Sequence, residues 1–342
     1  FYYAATDGSP LRRAVFKADA KGRVTRLSQQ AGTNAATFST SFKYFMNVYS
    51  NLQTPPVTTL CDATGKTIKT LIDNAELQQK LASKNLGKKE FFTFTTKNGT
   101  ELNGYMVKPY DFDASKRYPV IMFQYSGPGS QQVLDSWQTG NMGGCLYEQY
   151  LGELGFISVC VDGRGTGGRG AAFEKQTYLH LGQLESEDQV ETALYLGTLP
   201  YVDKSKIGIW GWSYGGFCTL MSMSEGRPVF AAGVAVAPVT SYRYYDSVYT
   251  ERFMRTPKEN PDGYGVSAIS RASQLSGNLL VCHGLADDNV HYQNTAEYVE
   301  ALVQADKDFR QLVYTNRNHS IYGGNTRYHL FRQITRWFEK EL

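Results

Sequence analysis

The chain has 342 residues and a formal net charge of +3, with 42% hydrophobic and 20% charged residues. These proportions are typical of a globular protein that is large enough to bury a core, and the length leaves room for roughly two domains. The small net charge and the lack of a dense Lys/Arg stripe argue against a nucleic-acid partner. No run of about 18 apolar residues occurs, so we expect no membrane segment in this chain.

The first 85 residues read as short strands separated by turn residues, and they contain a repeat. The segment 1–6 aligns with 44–49, and an Asp-x-x-Gly turn at 19–22 aligns with one at 62–65, both with an offset of 43 residues. A period near 43 with several strands per copy is typical of β-propeller blades, although about three copies are usually needed to bury a continuous core. We therefore predict that residues 1–85 are the C-terminal part of a truncated propeller. The alternative is a coincidental pair of hairpins in one small β domain.

The chain begins at Phe1 rather than Met, so we expect an N-terminus that has been processed or cut away. Its cysteines show neither a Cys-x-x-Cys pair nor a metal-ligand spacing, and their number is odd. Buried thiols are therefore favoured over a disulfide framework, and no metal site is expected. The five residues are Cys61, Cys145, Cys160, Cys218 and Cys282.

From about residue 90, apolar strands alternate with longer amphipathic stretches. Asn98-Gly99 between two strand-like runs predicts a hairpin. The strand–helix alternation that follows is typical of a mostly parallel, doubly wound α/β sheet, whose loops gather at the strand ends. We predict such a domain over residues 86–342. Its predicted strands are 91–96, 102–107, 120–125, 156–161, 207–210, 233–237, 279–283 and 311–314, and its predicted helices are 146–154, 187–196, 217–223, 294–305 and 327–340.

The segment 207–217 is the most informative in the chain, because it reads as a strand, then Gly-x-Ser-x-Gly, then a helix. That order is the one that the nucleophile elbow of an α/β-hydrolase requires. Ser213 would lie on a sharp turn that needs small neighbours, and Gly211 and Gly215 meet that need. The N-terminus of the following helix would favour a developing negative charge. We predict that Ser213 is a catalytic nucleophile; the alternative is a tight structural turn.

A serine hydroxyl needs a base to take its proton, and that base needs an orienting carboxylate. In this fold the chain order is Ser, then Asp or Glu, then His. His319 follows the last predicted strand and is the predicted base. The predicted acid is Asp287 or Asp288, after the preceding strand, and spacing alone does not choose between them. His283 precedes both acids and is predicted to be a buried, hydrogen-bonded histidine.

Several segments in the right order resemble the prolyl oligopeptidase family, and within it the dipeptidyl peptidases. They are Gly211-Trp212-Ser213-Tyr214-Gly215-Gly216, Asp162-Gly163-Arg164-Gly165, the run YYDSVYTER at 244–252 and the run HGLADDNVH at 283–291. The resemblance covers residues from about 90 to the C-terminus and, more weakly, the first 85. It implies a serine peptidase without cofactor or metal, which removes N-terminal dipeptides with Pro, or less readily Ala, in the second position through an acyl-enzyme.

The resemblance also implies roles for individual residues. Asp287 is implied as the triad acid and His319 as the base, with the hydroxyl of Tyr125 and the backbone N–H of Tyr214 as oxyanion donors. Asn289 is implied to bind the substrate carbonyl next to the N-terminus. The pocket for a proline ring should be apolar and rigid, because the ring offers little else to recognise. Its implied walls are Tyr214, Val239, Tyr242, Tyr245, Tyr249 and Val290, and Tyr242 departs from the Trp that is common in the family.

In this family, the acidic residues that hold the free amine of the substrate lie in the propeller, upstream of anything present here. We therefore expect a fragment with complete chemical machinery and no amine anchor. The family also suggests an exported, periplasmic or extracellular location and a possible homodimer through the terminal helix predicted at 327–340. The alternatives are an acylaminoacyl-peptidase or carboxylesterase with the same triad, and a non-catalytic interaction protein of the same fold.

Overall fold

The computed structural model describes residues 1–137 and 145–342. Two antiparallel sheets build its N-terminal part, and a short helix, α1 (Ala75–Ala82), follows them. The first sheet consists of β1 (Tyr2–Ala5), β2 (Ala14–Ala18) and β3 (Val24–Arg26), and the second of β4 (Thr33–Phe38), β5 (Tyr44–Ser50), β6 (Val57–Asp62) and β7 (Thr67–Ile72).

The two Asp-x-x-Gly turns of the predicted repeat have the same hydrogen bonds. Asp19 and Asp62 each accept backbone N–H groups from the residues two and four positions later, at 2.8 to 3.2 Å. Gly22 and Gly65 have φ angles of 78° and 91°, which side-chain-bearing residues rarely adopt. One turn joins β2 to β3 and the other joins β6 to β7. The repeat in the sequence therefore corresponds to equivalent hairpins in the two sheets.

One eight-stranded sheet organises the rest of the chain. Its strands are β8 (Lys89–Thr95), β9 (Glu101–Val107), β10 (Tyr118–Phe123), β11 (Ile157–Asp162), β12 (Val202–Trp212), β13 (Ala232–Val236), β14 (Asn278–Gly284) and β15 (Arg310–Tyr314). Their spatial order is β15-β14-β13-β12-β10-β11-β9-β8. All pairings from β15 to β11 are parallel, whereas β9 runs antiparallel to β11 and to β8. The predicted hairpin is confirmed at Gly99, which has a φ of 83°.

Helices cover both faces of this sheet. They are α2 (Cys145–Glu153), α3 (Ala171–Glu174), α4 (Gln183–Leu196), α5 (Tyr214–Met223), α6 (Ser247–Met254), α7 (Pro261–Gly265), α8 (Gln293–Gln304) and α9 (Thr326–Glu341). Along β10, Val120 and Met122 belong to a core shared with α4, α5 and α8, whereas Ile121 and Phe123 belong to a core shared with α2 and α9. This alternation confirms the predicted doubly wound α/β fold. Among the described residues, no helix is both long and apolar enough to cross a membrane.

Asp135 ties the N-terminal sheets to the loop that follows β10. Its carboxylate accepts hydrogen bonds from the Arg12 side chain at 3.2 Å and from the Leu52 N–H at 3.1 Å. Its backbone carbonyl accepts from the Thr33 hydroxyl at 2.9 Å, and its N–H donates to the Leu11 carbonyl at 2.7 Å. The division of the chain near residue 85 stays a prediction, but the two predicted parts are hydrogen-bonded to each other at this point.

Candidate active site

Ser213 occupies the junction between β12 and α5 with a strained backbone, at φ 61° and ψ −117°. Its N–H donates to the Val236 carbonyl at 2.8 Å, which anchors the turn on the neighbouring strand. A Cβ atom at Gly215 would overlap the backbone oxygen of Gln124, and one at Gly211 would overlap the backbone of Gly215. The turn therefore requires glycine at both positions, and its backbone has the geometry that the nucleophile-elbow motif predicts.

The loops after β14 and β15 bring Asp287 and His319 together. His319 Nδ1 lies 2.8 Å from Asp287 Oδ2, with the Asp287 side chain fully buried and that of His319 19% exposed. The other carboxylate oxygen accepts the backbone N–H groups of Asn289 at 3.0 Å and Val290 at 2.9 Å. Asp288 is exposed to solvent. The geometry thus distinguishes the two acids that spacing left open, and it pairs Asp287 with the histidine.

Asp287 remains ionised in spite of its burial. Burial alone would raise its pKa, but hydrogen bonds from His283 and His319, the charge of His319 and the N–H of Asn289 together hold the pKa well below its usual range. A buried carboxylate of this kind can orient an imidazole and stabilise its protonated form. His283 is buried and hydrogen-bonded, as predicted, and one of its partners is Asp287, which sequence spacing does not indicate.

The residue before Ser213 contacts the backbone of His319. Among the described residues, no hydrogen bond joins the side chains of Ser213 and His319. The Ser213 side chain lies close enough to the Tyr125 hydroxyl to lower the pKa of that phenol, against the larger effect of burial. Trp212 Nε1 donates to the backbone carbonyl of His319 at 3.0 Å, which docks the histidine loop beside the nucleophile turn. Catalytic hydrogen bonds are often long before substrate binds, so the lack of one here does not argue against proton transfer between the two side chains.

Two hydrogen-bond donors flank Ser213. Burial raises the pKa of Tyr125, and the nearby Ser213 side chain opposes only part of that rise, so the phenol keeps its proton at neutral pH. Tyr214 is the first residue of α5, and its backbone N–H therefore has no acceptor within the helix. A phenol and a free N–H at a helix N-terminus are donors of the type that an oxyanion requires.

The predicted pocket residues lie together on one side of the elbow. Tyr214, Val239, Tyr242 and Val290 are buried in the same apolar core, and Tyr245 and Tyr249 pack against it. Neighbouring rings follow one another in series, with centroid distances of 6.2 Å for Tyr214–Tyr242, 6.4 Å for Tyr242–Tyr245 and 5.5 Å for Tyr245–Tyr249. The structure therefore assembles an aromatic wall next to Ser213.

Asn289 connects this wall to Asp287. Its side-chain oxygen accepts the hydroxyl of Tyr245 at 2.8 Å, and its backbone N–H donates to Asp287. The side chain is exposed, and its amide N–H groups have no acceptor among the described residues. They are consequently available to a carbonyl group of a ligand.

Glu185 is a site residue that the sequence did not reveal. It is fully buried, and its carboxyl group accepts the hydroxyl of Tyr214 at 2.7 Å and the N–H of Gly182 at 3.0 Å. Burial raises its pKa to about 7 in spite of these hydrogen bonds. The predicted helix begins at residue 187, whereas α4 begins at Gln183, so Glu185 lies outside the predicted helix.

The glycine-rich segment after β11 is a tight loop beside the site. Asp162 accepts the N–H of Val133 at 2.7 Å, and the Gly129 N–H donates to the Gly165 carbonyl at 2.9 Å. The segment thus braces the chain that follows Tyr125. Within residues 1–137 and 145–342, no cluster of three or more His, Cys, Asp or Glu side chains is arranged to hold a metal ion.

Comparisons with known proteins give consistent results for both parts of the chain. Residues 146–342 match the prolyl oligopeptidase family, and residues 1–56 match the dipeptidyl peptidase IV (DPP IV) N-terminal region. A probable dipeptidyl-aminopeptidase B of Trichophyton verrucosum is 38% identical over 331 residues, which are 94% of this chain and 36% of the relative. A protein of the same name from Ajellomyces dermatitidis is 42% identical over 269 residues, which are 77% of this chain and 29% of the relative.

A solved structure is similar over the whole chain. The crystal structure of Porphyromonas gingivalis dipeptidyl peptidase 4 has 52% sequence identity and a TM-score of 0.96, covering 100% of this chain and 48% of that one. The chain therefore spans about half of that protein and about a third of the curated relatives. The α/β-hydrolase fold with an N-terminal propeller remnant is confirmed, and the chain belongs to the prolyl oligopeptidase family.

Proposed function

We propose that the chain carries the catalytic machinery of a serine peptidase that releases N-terminal dipeptides after Pro, or less readily after Ala. The pairing of His319 with the buried Asp287, beside the strained turn of Ser213, is the observation that carries this proposal. Family membership and the names of the similar proteins support the same activity.

The proposed reaction begins when Ser213 Oγ attacks the carbonyl carbon of the second substrate residue and His319 Nε2 takes the serine proton. The carboxylate of Asp287 stabilises the imidazolium that results. The negative oxygen of the tetrahedral intermediate accepts hydrogen bonds from the Tyr125 hydroxyl and the Tyr214 N–H. His319 then gives its proton to the leaving amine. Water hydrolyses the acyl-enzyme ester by the same route.

The aromatic wall supports the preference for Pro or Ala. A pyrrolidine ring and a methyl group carry no hydrogen-bonding group, so an apolar and rigid surface is the surface that suits them. Tyr242 and Tyr245 form this surface with their rings, and Val239 and Val290 contribute aliphatic groups. Asn289 binds the carbonyl next to the substrate N-terminus through its available N–H groups.

Further parts of the proposal concern the whole protein. Residues 1–85 would end a propeller and residues 86–342 would form the catalytic domain. The acidic groups that hold the substrate amine would lie outside these 342 residues. An exported location and a homodimer through α9 remain predictions from family resemblance.

Labelling with a fluorophosphonate probe tests the nucleophile, with Ser213→Ala as the matched control. Gly-Pro and Gly-Ala arylamides, each compared with its N-blocked form, test the substrate. We expect Ser213-dependent labelling and cleavage after Pro faster than after Ala. Labelling accompanied only by cleavage of N-acylated amino acids or simple esters would favour an acylaminoacyl-peptidase or a carboxylesterase. A folded wild-type chain that is not labelled would favour a non-catalytic interaction protein.

A further inference from the structure

Two histidines share one oxygen atom of the triad acid. His319 Nδ1 lies 2.8 Å from Asp287 Oδ2, and His283 Nε2 lies 3.1 Å from the same atom. His283 is fully buried and has no access to a substrate, whereas His319 is partly exposed. The second histidine therefore acts on the reaction indirectly, through the residues that it contacts, and Asp287 is the one of these that binds His319.

The surroundings of His283 define its donor atom. Nε2 faces two acceptors, the carboxylate of Asp287 and the Val290 carbonyl at 2.8 Å, so this nitrogen must carry a hydrogen. On the other side of the ring, Nδ1 lies 2.7 Å from the buried hydroxyl of Thr295, at the start of α8. The ring is thus fixed from both sides, and its Nε2–H is shared between the Val290 carbonyl and the carboxylate of Asp287.

The number of donors on Asp287 determines how strongly it attracts the proton of His319. Four N–H groups surround its carboxylate, from the two histidines and from the backbone of Asn289 and Val290. Each donor stabilises the negative charge and lowers the proton affinity of the oxygens. If one donor is lost, the carboxylate becomes more basic and stabilises protonated His319 more strongly. His319 then loses its proton only at a higher pH.

The other ionisable groups near this cluster make no hydrogen bond to Asp287 among the described residues. The Tyr292 ring packs 5.6 Å from the His283 ring, and Tyr245 lies close enough for the charge of Asp287 to contribute to its raised pKa, which is due chiefly to burial. Asp288 is exposed, and Arg317 stands on the His319 loop with its side chain close to Gly323.

From this arrangement we propose that His283 is a positioning residue of the triad, which holds and partly neutralises Asp287 and so keeps His319 deprotonated, and active, to lower pH. The inference rests on the proposed triad but not on the proposed peptide substrate. It also explains why a histidine with no exposed surface lies in direct contact with the triad acid.

The pH dependence of the fluorophosphonate labelling rate tests this role without a peptide. His283→Leu removes the ring's three hydrogen-bond contacts, with Asp287, Val290 and Thr295. We expect the acid limb of the pH–rate profile to move up by about half a pH unit or more, and each half unit lowers the labelling rate at pH 7 by up to about threefold. His283→Gln can place its amide nitrogen where Nε2 lies, and it should restore most of the rate and the wild-type limb. His329→Gln alters a histidine that bonds with Tyr314 away from the site, and it should leave both unchanged.

Thr295→Val provides a second test if the leucine variant does not fold. It leaves the donor in place but releases the ring, so a smaller upward movement of the acid limb is expected. The inference would be wrong if His283→Leu kept the acid limb and the labelling rate of the wild type. If that variant does not fold, the same result in Thr295→Val would overturn it. A wild-type chain that is labelled but releases no dipeptide would contradict only the proposed substrate, and the position of the limb would still decide the role of His283. A wild-type chain that is never labelled would overturn both.

Discussion

Glu185 places an ionisable group inside the apolar core that supports the aromatic wall. Its carboxyl group accepts hydrogen bonds from Tyr214 and Gly182, and no cation pairs with it among the described residues. Glu185→Gln keeps the size of the side chain and removes the charge. The amide of the glutamine can accept the Gly182 N–H with its oxygen and donate its own N–H to the Tyr214 oxygen. The contacts with Gly182 and Tyr214 can therefore both persist. We expect this variant to be more stable than the wild type at neutral and alkaline pH.

The expected magnitude follows from the raised pKa of Glu185, which moves from its ordinary value of 4.5 to about 7. A carboxyl group whose pKa is raised by folding binds its proton more tightly in the folded state. Its contribution to stability is therefore fully present below about pH 4.5 and is lost as the pH rises through about 7. Between about pH 4.5 and pH 7, the free energy of unfolding of the wild type should therefore fall by up to about 3 kcal/mol, and that of the glutamine variant should not fall for this reason.

Urea unfolding followed by tryptophan fluorescence, at several values between about pH 5 and pH 8, measures this difference. The free energy of unfolding of Glu185→Gln, relative to the wild type, should increase from about pH 5 to about pH 7 and then level off. Glu297→Gln, on the exposed side of α8, is the matched control and should follow the wild type at every pH. A constant difference between Glu185→Gln and the wild type over the whole range would refute the reasoning, because it would mean that Glu185 does not titrate there.

Three other substitutions test the site. Tyr125→Phe removes one proposed oxyanion donor and should lower kcat/KM for arylamides by about 10²–10³-fold, with an unchanged circular dichroism spectrum; a smaller loss would exclude that role. Gly215→Ala places a Cβ against the backbone oxygen of Gln124 and should abolish fluorophosphonate labelling and lower the Tm, so a labelled variant of normal Tm would contradict the close approach. Tyr242→Phe removes a buried hydroxyl that has no partner among the described residues, and urea unfolding should show equal or higher stability, by up to about 2 kcal/mol.

The strands were the most predictable part of the fold. All eight predicted strands overlap the strands of the main sheet. Inner parallel strands such as β11 and β13 are buried at every position and form continuous apolar runs, which makes them easy to recognise. Helix starts were less predictable. α4 begins after Gly182 and α5 begins after Ser213, and neither residue provides a side-chain cap. The predicted helices, 187–196 and 217–223, miss the first turn of each.

The candidate site was predictable where a role is tied to a strand end. The order of Ser213 and His319 along the chain, each after a strand, was sufficient to select them. The choice between Asp287 and Asp288 was not open to this reasoning, because it depends on a turn in which the Asp287 carboxylate binds the N–H groups two and three residues later. A turn of this kind leaves no repeating pattern in the sequence from which it could be predicted. Glu185 was missed because its partner, Tyr214, belongs to another helix.

The backbone around the site departs from local preference at the ends of three neighbouring strands. Ser126, Ser213 and Ala237 lie just beyond β10, β12 and β13 and have φ angles of 63°, 61° and 44°. Backbone strain of this kind costs about 1–3 kcal/mol per residue and persists only where surrounding contacts impose it. Here the Ala237 N–H donates to the Cys282 carbonyl at 2.7 Å, as Ser213 does to the adjacent strand. Rules of local preference thus predict the strands well and their ends poorly. The strain at Ser213 is visible in the sequence only through Gly211 and Gly215, which the close packing of the turn requires.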